Sequence, residues 1–173
     1  IDLSYGNWKT SMDMALTDGR AKLVKLLPSY HQYELTHDVL RALVEITTTH
    51  GIAIGIQIRF EDRRGVYPPL SVPEIDINRV IYAVSAFPEQ PFILHNMFIR
   101  EINTALDPRE NVYVDISSME YHNTLKEIES RAGLERVLFS SHSPFYYPEG
   151  NIAKLRFADM EPASMERVAF GNA

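Results

Sequence analysis

Five polar residues sit at or near the ends of apolar runs, where a strand gives way to a loop. His142 follows Val137–Phe139 in VLFSSHSPFYYPEG, and His95 closes PFILH. Asp115 lies in VYVDIS, and Gln57 and Arg59 alternate with isoleucines in IAIGIQIRF. These groups can move a proton, ligate a cation or hold an anion. A neutral imidazole exchanges protons near neutral pH and binds metal through its bare nitrogen. A carboxylate such as Asp115 serves as a base or neutralises an inward cation. The planar fork of Arg59 suits a substrate carboxylate. Each residue also has a purely structural reading. His142 works in a site, or it caps the strand end and bonds backbone. His95 is a ligand or a buried, satisfied imidazole. Asp115 is a base or an ion-pair partner. Lys25 is the inward cation in phase to meet it, and the ion pair is expected because a lone inward carboxylate is costly. Arg59 opens RFEDRR, which is an anion clamp or a solvated loop of weak ion pairs. Tyr30 and His31 in PSYHQY line a pocket or pack beneath a loop. Phe145, Tyr146 and Tyr147 read as loop packing.

The composition removes several classes of chemistry. The chain of 173 residues has no Cys, so thiolate catalysis, disulfides and Cys-based metal sites are excluded. Its net charge of −6, with no basic block, argues against nucleic acid and against a polybasic membrane contact. No run approaches the ~18 apolar residues of a membrane span. A cytoplasmic location fits these features. Ile1–Tyr5 reads as the inside of a strand, and without a Met start or signal peptide the chain is expected to begin mid-protein.

The elements that must position these residues alternate along the chain. Strands are expected at Ala21–Leu27, Ile52–Phe60, Pro91–His95, Val112–Ile116 and Val137–Phe139. Helices are expected at Thr36–His50, Asp76–Phe87, Met97–Ala105, Ser118–Ala132 and Met160–Phe170. Thr36 is a candidate N-cap and Gly51 a C-cap. Strand and helix in turn, joined by short links, predict a parallel sheet. Ile52, Ile54, Ile56 and Ile58 share one face, while Gln57 and Arg59 share the other. Asp115 and Ser117 share a face in the same way. A face that turns polar toward the strand C-termini suits a barrel interior, whereas a doubly wound sheet wants both faces apolar. No glycine-rich phosphate loop is present.

VKLLPSYHQYEL, GIAIGIQIRFEDRR, PFILHN, NVYVDIS, RVLFSSHSPFYYPE and the ending FGNA occur in that order. Together they resemble the second amidohydrolase family, the amidohydrolase-related (β/α)8 TIM-barrel hydrolases and decarboxylases. The resemblance covers almost all of residues 1–173 as one domain. It matches the family's later part, about the last five strands and the end of a sixth. It implies a divalent metal, zinc in the usual case, bound by histidines of the first, fifth and sixth strands, with an aspartate on the eighth. By position the fifth-strand histidine falls on Gln57, the sixth-strand histidine on His95 and the eighth-strand aspartate on His142. The first-strand pair falls before residue 1. Gln57 offers only an amide oxygen, so weak metal binding is expected.

The reading that follows is a hydrolase or decarboxylase acting on a small carboxylated or cyclic substrate. His142, Asp115 and Arg59 carry its chemistry. Arg59, His31, Tyr30, Gln57 and Asn96 touch substrate, and His95 and His142 hold any metal. The alternative is a non-catalytic barrel that binds a small ligand or a protein at the strand C-termini. Five strands and a stub leave open edges. A homo-oligomer, or a missing N-terminal segment, is therefore expected.

Overall fold

Alternating apolar residues build the sheet, and its strand order gives the architecture. The computed structural model describes residues 1–60, 72–107 and 109–173. Five strands, β1 (Leu23–Leu26), β2 (Ala53–Gln57), β3 (Phe92–His95), β4 (Val112–Asp115) and β5 (Val137–Leu138), pair in the order β1-β2-β3-β4-β5. Every pairing is parallel. No strand is skipped, so the order never reverses as it does in a doubly wound sheet. A sheet wound in one direction is the pattern of a (β/α)8 barrel.

Helices α1 (Trp8–Asp18), α2 (His37–His50), α3 (Ile77–Val84), α4 (Ile102–Leu106), α5 (Thr124–Ala132), α6 (Pro148–Arg156) and α7 (Pro162–Glu166) fill the sequence around the strands. The α2 helix starts where Thr36 accepts a hydrogen bond from the Val39 N–H. It stops at Gly51, whose φ of 62° suits glycine. One face of the sheet is apolar throughout. Val24, Leu26, Ile54, Ile56, Phe92, Leu94, Val112 and Val114 form one buried cluster with Leu40 and Leu43 of α2 and Val80 and Val84 of α3. The opposite face carries Lys25, Gly55, Gln57, His95 and Asp115. The isoleucines thus face the helices and the polar residues face the would-be axis.

The observed elements depart from the expected ones in several places. Ile1–Tyr5 is a turn, not a strand. Asp2 Oδ1 accepts from the Ser4 N–H at 2.9 Å and from Ser4 Oγ at 2.6 Å, and these local bonds replace an extended backbone. Helix α1 was not expected, because its pattern is weakly amphipathic and Met12 is its one buried residue. Helix α6 begins at Pro148, where proline's fixed φ suits the first helical turn although the stretch reads as loop. Helix α5 starts at Thr124 rather than Ser118, where Thr124 Oγ1 accepts from the Tyr121 N–H at 3.2 Å.

Candidate active site

Register brings the polar residues of three strands into one row. Gln57 pairs with His95, and the pairing of Leu94 with Val114 sets His95 beside Asp115. In a parallel sheet such partners share a face, and their strands end on the same side. Gln57, His95 and Asp115 therefore meet at the C-terminal end of the sheet, as the phase of each strand predicts.

His95 and Asp115 are directly bonded. His95 Nδ1 lies 2.7 Å from Asp115 Oδ2, with both side chains buried. Asp115 Oδ1 accepts from Ser117 Oγ at 2.6 Å, from the Ser117 N–H at 3.1 Å and from the Asn96 N–H at 3.2 Å. Burial pushes this carboxyl up, but the hydrogen bonds from His95 and Ser117 outweigh it and hold the group below the usual carboxylate range. An ionised carboxylate can only accept, so His95 Nδ1 must carry a proton. In the neutral ring, Nε2 is then a bare acceptor. That atom is buried and has no hydrogen-bond partner among the described residues. It lies over Gly55, where a Cβ would come within 2.6 Å of it. The glycine is required by this close approach.

The Lys25–Asp115 ion pair expected from strand phase is not formed, because His95, Ser117 and Asn96 take the carboxylate. Lys25 and Asp115 interact only electrostatically at longer range.

A second buried network surrounds Gln57. Its Nε2 donates to the Arg59 carbonyl at 2.5 Å and to Asn96 Oδ1 at 2.7 Å, while its Oε1 is buried with no partner among the described residues. Asn96 adopts the left-handed backbone at φ 59°, a conformation that asparagine tolerates better than most residues. Its Nδ2 donates to Ser118 Oγ at 2.9 Å, and its carbonyl accepts from Arg59 at 3.1 Å. Asn96 is thus held at both ends of its amide, which makes it a structural joint of the site. Arg59 is 4% exposed and forks onto both oxygens of Glu101, with Glu74 Oε2 3.2 Å from its Nε. Its guanidinium carbon lies 3.8 Å from the Phe98 ring centroid. The clamp expected of Arg59 is present, but the anion it grips is the chain's own Glu101. Glu61–Arg64 of the same cluster lie outside the described residues.

His142 realises the backbone-bonding alternative. It has φ 52°, and its Nε2 lies 3.0 Å from the Phe60 carbonyl. Since that carbonyl can only accept, the nitrogen there carries the proton. The ring stacks on Phe145 at 5.2 Å and meets Tyr146 edge-on at 5.1 Å. Burial lowers its pKa, although the bond to Phe60 acts in the opposite sense. Tyr30 stacks on Phe60 at 5.1 Å, and Phe60 meets Phe145 edge-on at 4.9 Å. Tyr30, Phe60, Phe145, His142 and Tyr146 thus form one aromatic rim joining the loops after β1, β2 and β5. Ser118 Oγ donates to Tyr146 at 3.3 Å, which ties the rim to Asn96. His31 stands behind Tyr30, with Nδ1 3.9 Å from Asp2 Oδ1.

Sequence reasoning passed over Lys154 of α6. Its Nζ donates to the carbonyls of Ile116 at 2.9 Å and Ser117 at 3.2 Å and to Asn151 Oδ1 at 2.8 Å. Burial lowers its pKa to about 8. Its signal is a lysine in the last turn of a helix whose sequence reads as loop. Gly55 was also missed, because its need arises only where β2 meets β3.

Of the two histidines expected to hold metal, His142 commits its Nε2 to the Phe60 carbonyl and so would have only Nδ1 to offer. Among the described residues no group of three or more His, Cys, Asp or Glu could hold a metal. His95 Nε2 is oriented by a carboxylate in the manner of metal-binding histidines.

No family model matches the chain, and no curated protein matches it. Solved structures do. 5-Carboxyvanillate decarboxylase from Sphingomonas paucimobilis matches with a TM-score of 0.69 and 17% identity, over 94% of this chain and 60% of that one. An uncharacterised TIM-barrel protein from Bordetella bronchiseptica matches with a TM-score of 0.66 and 17% identity, over 94% and 59%. Dihydroxybenzoic acid decarboxylase from Polaromonas sp. JS666, with bound manganese and the inhibitor 2-nitroresorcinol, matches with a TM-score of 0.54 and 16% identity, over 74% and 50%. Further matches are described as amidohydrolases. This chain therefore spans at most about three fifths of the length of these three structures. By fold, the chain is a five-stranded parallel sheet of the TIM-barrel kind.

Proposed function

We propose that the chain contributes the proton-handling part of a barrel enzyme that decarboxylates or hydrolyses a small carboxylated, aromatic or cyclic substrate. The observation that carries this reading is His95. Its Nδ1 is committed to Asp115, and its Nε2 is buried and has no partner among the described residues. A general base needs an oriented nitrogen of this kind. Asp115 holds the tautomer and would stabilise the imidazolium formed on proton uptake. Serving as a base in its own right, as expected from sequence, would require Asp115 to give up those bonds. The decarboxylases among the similar folds support the substrate class. The aromatic rim supports a flat ring, with Tyr30 and Phe145 its exposed members. His31, Gln57 and Asn96 belong to the same reading as residues that shape the pocket wall.

A divalent metal belongs to this proposal as a partner of His95. The manganese in the Polaromonas enzyme supports such an ion, and zinc is the finer expectation. Bound metal would polarise a substrate oxygen or activate water. His95 Nε2 would supply one ligand, and the other donors would come from outside the described residues. Among the described residues no helix is long and apolar enough to cross a membrane. The β1 and β5 strands each pair on one side only. Those open edges support either the remainder of one barrel or a second copy as their neighbour.

The test is an assay of the full-length protein on hydroxybenzoates and carboxyvanillates, following CO2 release, with elemental analysis of the same sample. Turnover that H95N abolishes is expected. Turnover that H95N leaves intact would overturn the assignment.

The lack of a three-ligand metal group among the described residues favours a second reading, a binding barrel without catalysis. Saturable binding of these acids with no turnover under any metal would select it.

A further inference from the structure

Three cations of the described residues lie buried or half-buried around the polar face of the sheet. Arg59 is consumed by Glu101 and Glu74. Lys154 spends all three ammonium protons on Ile116, Ser117 and Asn151. Lys25 is different. Among the described residues no hydrogen bond or ion pair engages its Nζ, although the residue is partly buried. A lysine in that setting is costly without an anion beside it. Burial lowers its pKa, and the distant Asp115 carboxylate only partly offsets that.

Its place in the sheet supplies the second observation. Lys25 pairs with Gly55 in register, so both belong to the axis-facing row. Gly55 contributes no side chain, and its Cα lies directly under His95 Nε2. The His95 ring and Leu23 Cδ1 of β1 close over this glycine. His142 and Asp115 lie within electrostatic reach of Lys25. The axis-facing row thus holds a cation on β1 and a buried acceptor on β3, both without a hydrogen-bond partner among the described residues.

We infer that Lys25 receives the substrate's carboxylate on the axis-facing side of β1, the part expected of Arg59, and so sets the preference for anionic ligands. This rests on the functional reading above and sharpens it to one binding residue. A carboxylate there meets the ammonium directly, while a hydroxyl or a proton of the same ligand reaches His95 Nε2.

The experiment is calorimetric titration of the full-length protein with 2-hydroxybenzoate and with its neutral counterpart 2-hydroxybenzamide. K25M is expected to weaken the acid about 10- to 100-fold and to leave the amide unchanged, as loss of one charged hydrogen bond predicts. K25R is expected to restore most of the affinity. Lysine-selective NMR of the unmutated protein gives a reading that needs no variant. Saturating 2-hydroxybenzoate should raise the titration midpoint of Lys25, because a nearby anion favours the ammonium. Equal affinity of K25M and the parent protein for the acid, or an unmoved Lys25 midpoint, overturns the Lys25 assignment while leaving His95 chemistry standing. No saturable binding of either compound by the parent protein overturns both.

Discussion

His95 and Asp115 form a 2.7 Å hydrogen bond between neighbouring parallel strands, and the pair leaves one imidazole nitrogen bare above Gly55. The carboxylate is held by four donors, so its position is fixed before any ligand arrives.

D115N tests what the carboxylate does. An amide at this position can donate to His95 Nδ1 and so move the ring proton to Nε2. Activity on any accepted substrate should fall by about 10²–10⁴-fold, the range general acid–base groups supply. Steady-state assays of D115N against the parent protein check this, and a loss below threefold would mean that tautomer control is unimportant.

G55A tests the close approach. A Cβ placed 2.6 Å from His95 Nε2 must displace the ring. The variant should be destabilised by about 1–3 kcal/mol, as overpacked cores are, and should lose activity. Urea unfolding of both proteins measures the difference. Unchanged stability with full activity would show that His95 does not sit over β2.

Arg59 should behave as a structural residue. Removing one partner of a buried ion pair costs about 3–5 kcal/mol. R59M should therefore unfold at much lower denaturant concentration, and R59M/E101M should recover part of the loss. A stable R59M whose only defect is a raised KM would instead make Arg59 a substrate clamp.

Much of this architecture could be read from the sequence, because alternation is a local signal. The Ile54/Ile56 face and the Gln57/Arg59 face of β2 follow from phase alone, and so does the inward placement of Asp115. Phase gives a face, however, and not a neighbour. Lys25 was matched to Asp115 because both point inward. They stand on β1 and β4 with two strands between them, about 14 Å apart in a flat sheet at ~4.8 Å per strand. The true partner, His95, is adjacent in register. Arg59 likewise meets a carboxylate 42 residues further along the chain, a contact no local pattern announces. His142 and Lys154 depend on loop and helix geometry after β5, where prolines and aromatics hide the helical start of α6.

Acid should weaken the fold through His142. Its folded pKa is depressed by burial, so the unfolded chain binds this proton more readily. The contribution is complete above the unfolded value of about 6.5 and is lost as pH falls from there through the folded pKa. Asp115, also depressed, adds a loss of the same sign at lower pH, below about 3.8. H142N keeps a residue that tolerates φ 52°. Denaturation across pH 4–8 should show a shallower slope near pH 6 for H142N than for the parent protein. Identical slopes would place the titration elsewhere.

The central claim concerns one nitrogen, and ¹⁵N NMR of selectively labelled histidine reads it directly at neutral pH. The account predicts that His95 shows a protonated Nδ1 and a bare Nε2, and that D115N moves the proton to Nε2. A His95 already protonated at Nε2 in the parent protein, or one whose tautomer D115N leaves unchanged, would contradict it.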